Sequence, residues 1–220
     1  MTTIMAFPAS AALAEHLRAM QTLQQESPNV VHHTTLRHIL DHFLEEVLGA
    51  YFTGPIDAVQ AEGPVVSMIQ RGVGVISKAG RALALRLLDK LEPEDQANLV
   101  QHFQQLQHTI EGQLYVAFAF NEAQAAQVRQ VLAAVANGEE GQQQAFLGAL
   151  HLVGDGAVSH YLDGTAGALR LGRFSKGMVK ATQATVRKSI ATAINRGVPA
   201  LGGKYRAMLA GYYQSMLFAV

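Results

Sequence analysis

An all-α fold, a bundle of about eight helices with no sheet, is predicted by three features of the sequence. Apolar residues recur at spacings of three and four along most of the chain, the pattern of helices that each bury one stripe. With 49% apolar and 15% charged residues, the 220-residue chain can fill one substantial core. Only one run, "LYVAFAF" at 114–120, looks like a strand, and a lone strand leaves its backbone polar groups unpaired. That run is therefore read as buried helix.

Taken in order, "MTTIMAFP" reads as a loop leading to a first helix capped by Ser10, with Leu13, Leu17 and Met20 on one face. It fades at Pro28 and Asn29. Thr34 or Thr35 caps a second helix reaching Phe52, whose stripe includes Leu36, Ile39, Phe43 and Val47. A third helix starts at Pro64 and reaches Leu91, with a kink expected near Gly72 or Gly74. Gly80 lies within its apolar face, where a missing side chain lets a neighbouring helix approach. "EPEDQ" opens a fourth helix carried by Leu99, Phe103, Leu106 and Ile110. Asn121 caps a helix that stops at Asn137-Gly138, and another covers 142–153. The glycine-rich stretch 154–172 is expected to interrupt regular structure, with one helical turn at "AVSHYL". Two more helices, at 174–196 and 204–218, are separated by "GVPALGG".

The formal net charge of zero hides a strong asymmetry. All seventeen acids lie at or before Asp163 beside eight bases, a net of −9; from Gly164 onward there are nine bases and no acid. This divides the chain into an acidic helical body, 1–163, and a basic helical subregion, 164–220, expected to pack together as one domain. The tail either docks on the acidic body or meets an anionic partner.

Zero cysteine excludes disulfides, thiolate metal sites and thiol catalysis. The start of the chain lacks a basic residue and is broken by Pro8, unlike a secretory signal. Charge-free windows at 1–14, 141–154 and 207–220 fall short of the roughly 20 residues of a membrane span. The expectation is a cytoplasmic protein, at most peripheral to a membrane.

Two groups of candidate residues stand out. On the second helix, a turn of about 100° per residue places His42 about 40° from His38, and Glu45 about 20° to its other side. Such a stripe has metal-ligand spacing, but the apolar face lies opposite, so it is expected to face solvent. In the tail, Arg173, Lys176, Lys180, Arg187 and Lys188, followed by Lys204, Arg206, Tyr212 and Tyr213, combine bases with amphipathic aromatics. This composition suits an anionic lipid surface.

Other patterns fail on inspection. Asp155, Ser159, His160 and Asp163 lie together in "GDGAVSHYLDG", but adjacent Ser and His point apart and the Gly-x-Ser-x-Gly elbow is absent. "GALRLGRF" has Arg173-Phe174 where a phosphate loop has Lys and Ser/Thr. No cofactor is predicted. The leading expectation is a non-enzymatic helical protein that associates with an anionic lipid surface or holds an apolar ligand between its helices. Alternatives are an adaptor for an acidic protein partner and a histidine-ligated metalloenzyme; nucleic acid is the weakest match, since no helix-turn-helix signature is present.

Overall fold

The computed structural model describes residues 2–60 and 62–220; Met1, where the expected N-terminal loop begins, and Ala61 lie outside them. The order is β1 (Thr3–Pro8), α1 (Ala11–Glu26), α2 (His33–Leu48), a π turn (Gly49–Thr53), α3 (Gly54–Val59), α4 (Pro64–Leu88) and α5 (Pro93–Gln105). There follow β2 (Gln107–Ile110), β3 (Gln113–Ala119), α6 (Glu122–Ala136), α7 (Gln143–Ala157), a second π turn (Val158–Asp163) and α8 (Gly164–Gly167). The chain ends with α9 (Arg173–Thr192), a third π turn (Ala193–Gly197), α10 (Val198–Ala200), α11 (Gly203–Ser215) and β4 (Leu217–Ala219). Because each π turn joins helices without a break, the described residues form eight helical rods.

The helical majority agrees with the expected bundle, but the expectation of no sheet is corrected. "LYVAFAF" is strand, the body of β3 in a four-stranded antiparallel sheet ordered β2-β3-β1-β4. Its backbone partners are the N-terminal strand and residues 107–110, and the last residues of the chain pair with the N-terminal strand; in the sequence all three segments read as loop or helix. In the central pairing, Met5 lies opposite Phe118 and Phe7 opposite Val116. The β2–β3 hairpin turns through Glu111 and Gly112, both at positive φ (50° and 81°), as a tight two-residue turn requires. Thr2 and Val220 exchange backbone hydrogen bonds of 2.8 and 3.0 Å, pinning the two ends of the chain together.

One face of the sheet delivers Met5, Phe7, Val116 and Phe118 to the main core. On the other, Ile4, Ala6 and Ala117 are covered by Ile110, Tyr115 and Phe218, whose last two rings meet edge to face at 5.2 Å. The core runs through both charge halves, with Leu36, Ile39, Val128 and Phe146 sharing one cluster with Val186, Ile190, Leu209 and Tyr213.

Local signals explain several helix starts. The Ser10 hydroxyl accepts from Leu13 N at 3.1 Å, as expected of a cap, and Glu46 takes both the Ser10 backbone N–H and its hydroxyl, at 3.0 and 2.5 Å. Asn121 and Gln124 form a reciprocal capping box. The expected Thr34 or Thr35 cap is absent: α2 starts at His33 with no side-chain cap. Fully buried Gln96 anchors the preceding loop, accepting from His32 N at 2.7 Å and donating to Val30 O at 2.9 Å. α4 is one continuous helix with Gly72 and Gly74 inside it. Gly80 does allow close helix approach: a Cβ there would lie 3.0 Å from Leu44 of α2.

The stretch 154–172 is mostly helical rather than irregular, and Gly154, Gly156 and Gly164 within it are packing positions, whereas Gly167 and Gly172 have open space where a Cβ would be. A Cβ on Gly156 would enter the Phe118 ring, which is how α7 seats against the sheet. Gly156→Ala is expected to cost about 1–3 kcal/mol, read as a lower urea midpoint at unchanged slope, because the ring is buried and cannot swing away.

Candidate functional site: paired apolar cavities behind three π turns

A π turn adds one residue to a helical turn and shifts the side chains that follow. All three π turns among the described residues contribute to two adjoining apolar cavities. The smaller, about 90 Å³, lies between the first π turn with α3, the N-terminal part of α4, α7, the third π turn and α11. The larger, about 140 Å³, lies between α2, the C-terminal part of α4, the second π turn, α8 and α9. Tyr51, Phe52, Ala157 and Ile190 line both and divide one from the other. An apolar cavity of about 150 Å³ stays dry and accepts a ring-sized apolar guest.

The polar atoms in these walls are few. Tyr51 Oη and Tyr161 Oη lie 3.3 Å apart, and Tyr213 Oη donates to Tyr51 O at 2.8 Å. Burial pushes all three phenols above the usual tyrosine range, so they are neutral at physiological pH. One hydrogen bond between the two hydroxyls of Tyr51 and Tyr161 uses only one of their two protons. An unused donor therefore remains within an otherwise apolar wall.

α4 forms the cover. Only Ile76, Leu83 and Leu88 of its 25 residues are buried, while Val65, Val66, Ile69 and Val73 are half-buried over the cavities. α9 runs beside it, placing Val186 and Ile190 in the cavity wall. Between the two helices a surface cleft of about 430 Å³ is lined by Arg71 and Gly72 on one side and by Thr185, Lys188, Ser189 and Thr192 on the other. Phe52 lines this cleft as well as both cavities.

The basic tail is divided in its roles. Arg170 contacts Glu92 and Glu94, each at 2.6 Å, and Asp95 at 3.4 Å, at the start of α5. Arg187 reaches Asp155 at 3.0 Å and Asp163 at 2.9 Å, bracing α9 on α7 and the second π turn. Arg206 donates to Leu201 O at 2.9 Å. Arg173, Lys176, Lys180, Lys188 and Lys204 are exposed and pair with no carboxylate among the described residues. Tyr212 and Tyr213 belong inside rather than on a binding surface. Tyr213 is buried, Tyr212 is half-buried, and Tyr212 donates to Ala50 O at 2.9 Å.

The histidine stripe faces solvent as expected at His38 and Glu45, both exposed, while His42 is half-buried. His16 of α1 stacks on both His38 and His42, with ring centroids 5.1 and 5.4 Å away, and Glu45 pairs with Arg81 of α4. The stripe therefore joins α2 to its neighbours. No group of three or more metal-ligating side chains is present among the described residues. Asp155 and Asp163 face Arg187, while His160 Nδ1–H donates to Gly156 O at 2.9 Å, so the "GDGAVSHYLDG" cluster is tied into the fold.

Of the central cavity residues Tyr51, Phe52 and Tyr161, the sequence places Tyr51 on the apolar stripe of the second helix but marks none of the three as lining a cavity. Their signal was glycine on either side of an aromatic within a helical pattern, in "GAYFTG" and "GDGAVSHYLDG". At Gly54, a Cβ would lie 2.5 Å from Tyr212 Oη, so this glycine is required by the packing.

No protein-family model, curated protein or solved structure matches this chain. Among the described residues no helix is long and apolar enough to cross a membrane.

Behind the larger cavity, His102 of α5 packs against Gly164, its Nε2 buried and unpartnered, and burial lowers its pKa from the usual 6.5. Between the folded value and 6.5 the unfolded chain holds the extra proton. The neutral ring's stability contribution is therefore complete above about pH 6.5 and is lost as pH falls towards the folded value. Urea unfolding at pH 7.5 and 5.5 is expected to show His102→Leu losing less stability than wild type on acidification. Parallel losses would mean that this ring does not set the acid response.

Proposed function

We propose that this protein is a non-enzymatic helical carrier that holds an apolar ligand, a single alkyl chain or a molecule of similar width, in the paired cavities. The observation that carries this reading is the convergence of three π turns on two adjoining apolar spaces. A chain of only tight α-helical rods would close such spaces, and unfilled cavities lose packing energy. The small volume of each cavity favours a slender chain over a fused-ring ligand. α4, half-buried along much of its inner face, is the element whose displacement admits the ligand.

A specific observation favours a second reading, contact with an anionic lipid surface. In the first turns of α9, Phe174 is 73% exposed and neighbours the exposed Arg173, Lys176 and Lys180. An aromatic beside several free cations suits the interface of an anionic bilayer. The two readings are compatible, since a lipid surface is also a source of alkyl chains. An acidic protein partner would meet the same cations, but no apolar surface specific to such a partner accompanies them. A metal site at His38, His42 and Glu45 is disfavoured by the Arg81 pairing of Glu45.

Calorimetric titration with n-alkanols of increasing length tests the carrier reading. Each added methylene is expected to tighten binding by about 0.8 kcal/mol, roughly fourfold, until the cavities are filled and affinity levels off. Absence of binding, or affinity independent of chain length, would contradict it.

A further inference from the structure

We propose that the cleft between α4 and α9 is the head-group site for an anionic single-chain amphiphile, whose tail passes Phe52 into the cavities. This rests on the carrier reading above and adds the identity of the polar end. Arg71 and Lys188 face the cleft from opposite helices, and neither pairs with a carboxylate among the described residues. Along the α9 side, Thr185 and Thr192 already donate to Ala181 O and Lys188 O, and the Ser189 hydroxyl is left to donate into the cleft. A guanidinium, an ammonium and a hydroxyl around one opening match the oxygen-rich, negatively charged end of a carboxylate or a phosphate monoester.

Continuity fixes the direction of the chain. Phe52, Ile69 and Ala193 belong to both the cleft and the smaller cavity, and Phe52 and Ile76 to both the cleft and the larger one. The cleft is thus the polar antechamber of both apolar spaces. An anion placed deep inside meets neutral phenols and the hydroxyls of Thr165 and Thr182, and no cation lines either cavity to replace its lost hydration. The head therefore stays between Arg71 and Lys188 while the tail lies inside. Gly72, beside Arg71, has open space where a Cβ would be, which leaves room for the head group.

The test is calorimetric titration of the full chain, at low ionic strength because exposed cations are screened by salt. The probes are dodecanoate, dodecyl phosphate, dodecanol and dodecylammonium. Wild type is expected to bind at least one of the two anions about tenfold more tightly than dodecanol, and dodecylammonium most weakly. The better anion identifies the head. The double variant Arg71→Gln/Lys188→Gln is expected to bring anion affinity down to that of dodecanol while leaving dodecanol binding unchanged. Equal wild-type affinity for anion, alcohol and ammonium, or an anion preference that survives the double variant, would overturn the proposal and leave the carrier reading standing. An equal loss for dodecanol and the anions would also overturn it, by showing that the variant acts on the cavity and not on the charge. Failure of dodecanol and the anions alike to bind wild type would remove the carrier reading and this inference with it.

Discussion

The burial of Tyr51 is the constraint on which the other parts of the structure converge. Its ring meets Phe7 of β1 edge-on at 6.1 Å and stacks with Phe118 of β3 at 6.3 Å. Its hydroxyl lies 3.3 Å from that of Tyr161, and its carbonyl accepts from Tyr213 Oη. Sheet, second π turn and C-terminal helix are thereby tied to one residue in the first π turn. A regular α-helix through residues 49–53 would rotate this side chain away from at least one of these partners, so the π turn and the aromatic cluster require each other.

That arrangement leaves space beside it. The aromatic rings of Tyr51, Tyr161 and Phe43 pack edge to face or tilted, and rigid rings meeting at steep angles do not fill a wall as branched aliphatics do. α4 and α9 must cover what remains, but glycines at 72, 74 and 80 limit the side-chain volume that α4 brings. Arg187 holds α9 down through Asp155 and Asp163. Arg81 links α4 to Glu45 of α2, an exposed pair that restrains it far less than a filled interface would. Three of the 25 residues of α4 are buried, so it covers the cavities largely with half-buried side chains.

How far the sequence foretold this depends on the kind of signal. Helices with a cap and a clean apolar stripe were legible: Ser10 with Leu13 and Leu17, Asn121 with Gln124, and Pro93 at the start of α5 all act as their sequence suggests. The sheet was not, because pairing is non-local. β1 is buried on both faces and so lacks alternation, β4 has three residues, and the hairpin turns at Glu-Gly rather than at the more recognisable Asn-Gly. A lone strand cannot satisfy its backbone, but β3 is not alone, because Thr3–Pro8 supplies its partner. The basic tail was visible as composition, but only the folded chain separates Arg170 and Arg187, paired with the body, from Lys188 at the cleft. Tyr212 and Tyr213 look amphipathic in sequence, yet their carbonyl partners lie 162 residues away.

The central claim, that the space behind the three π turns holds an alkyl chain, is tested most directly by locating such a chain. Isotope-filtered NMR of protein labelled at Ile, Leu and Val methyls, with bound dodecanol, reads the contacts residue by residue. The account predicts chain-to-protein NOEs at Val186, Ile190 and Leu83 in the cavity walls. NOEs confined to exposed positions such as Val30, Leu85 or Val220 would contradict it.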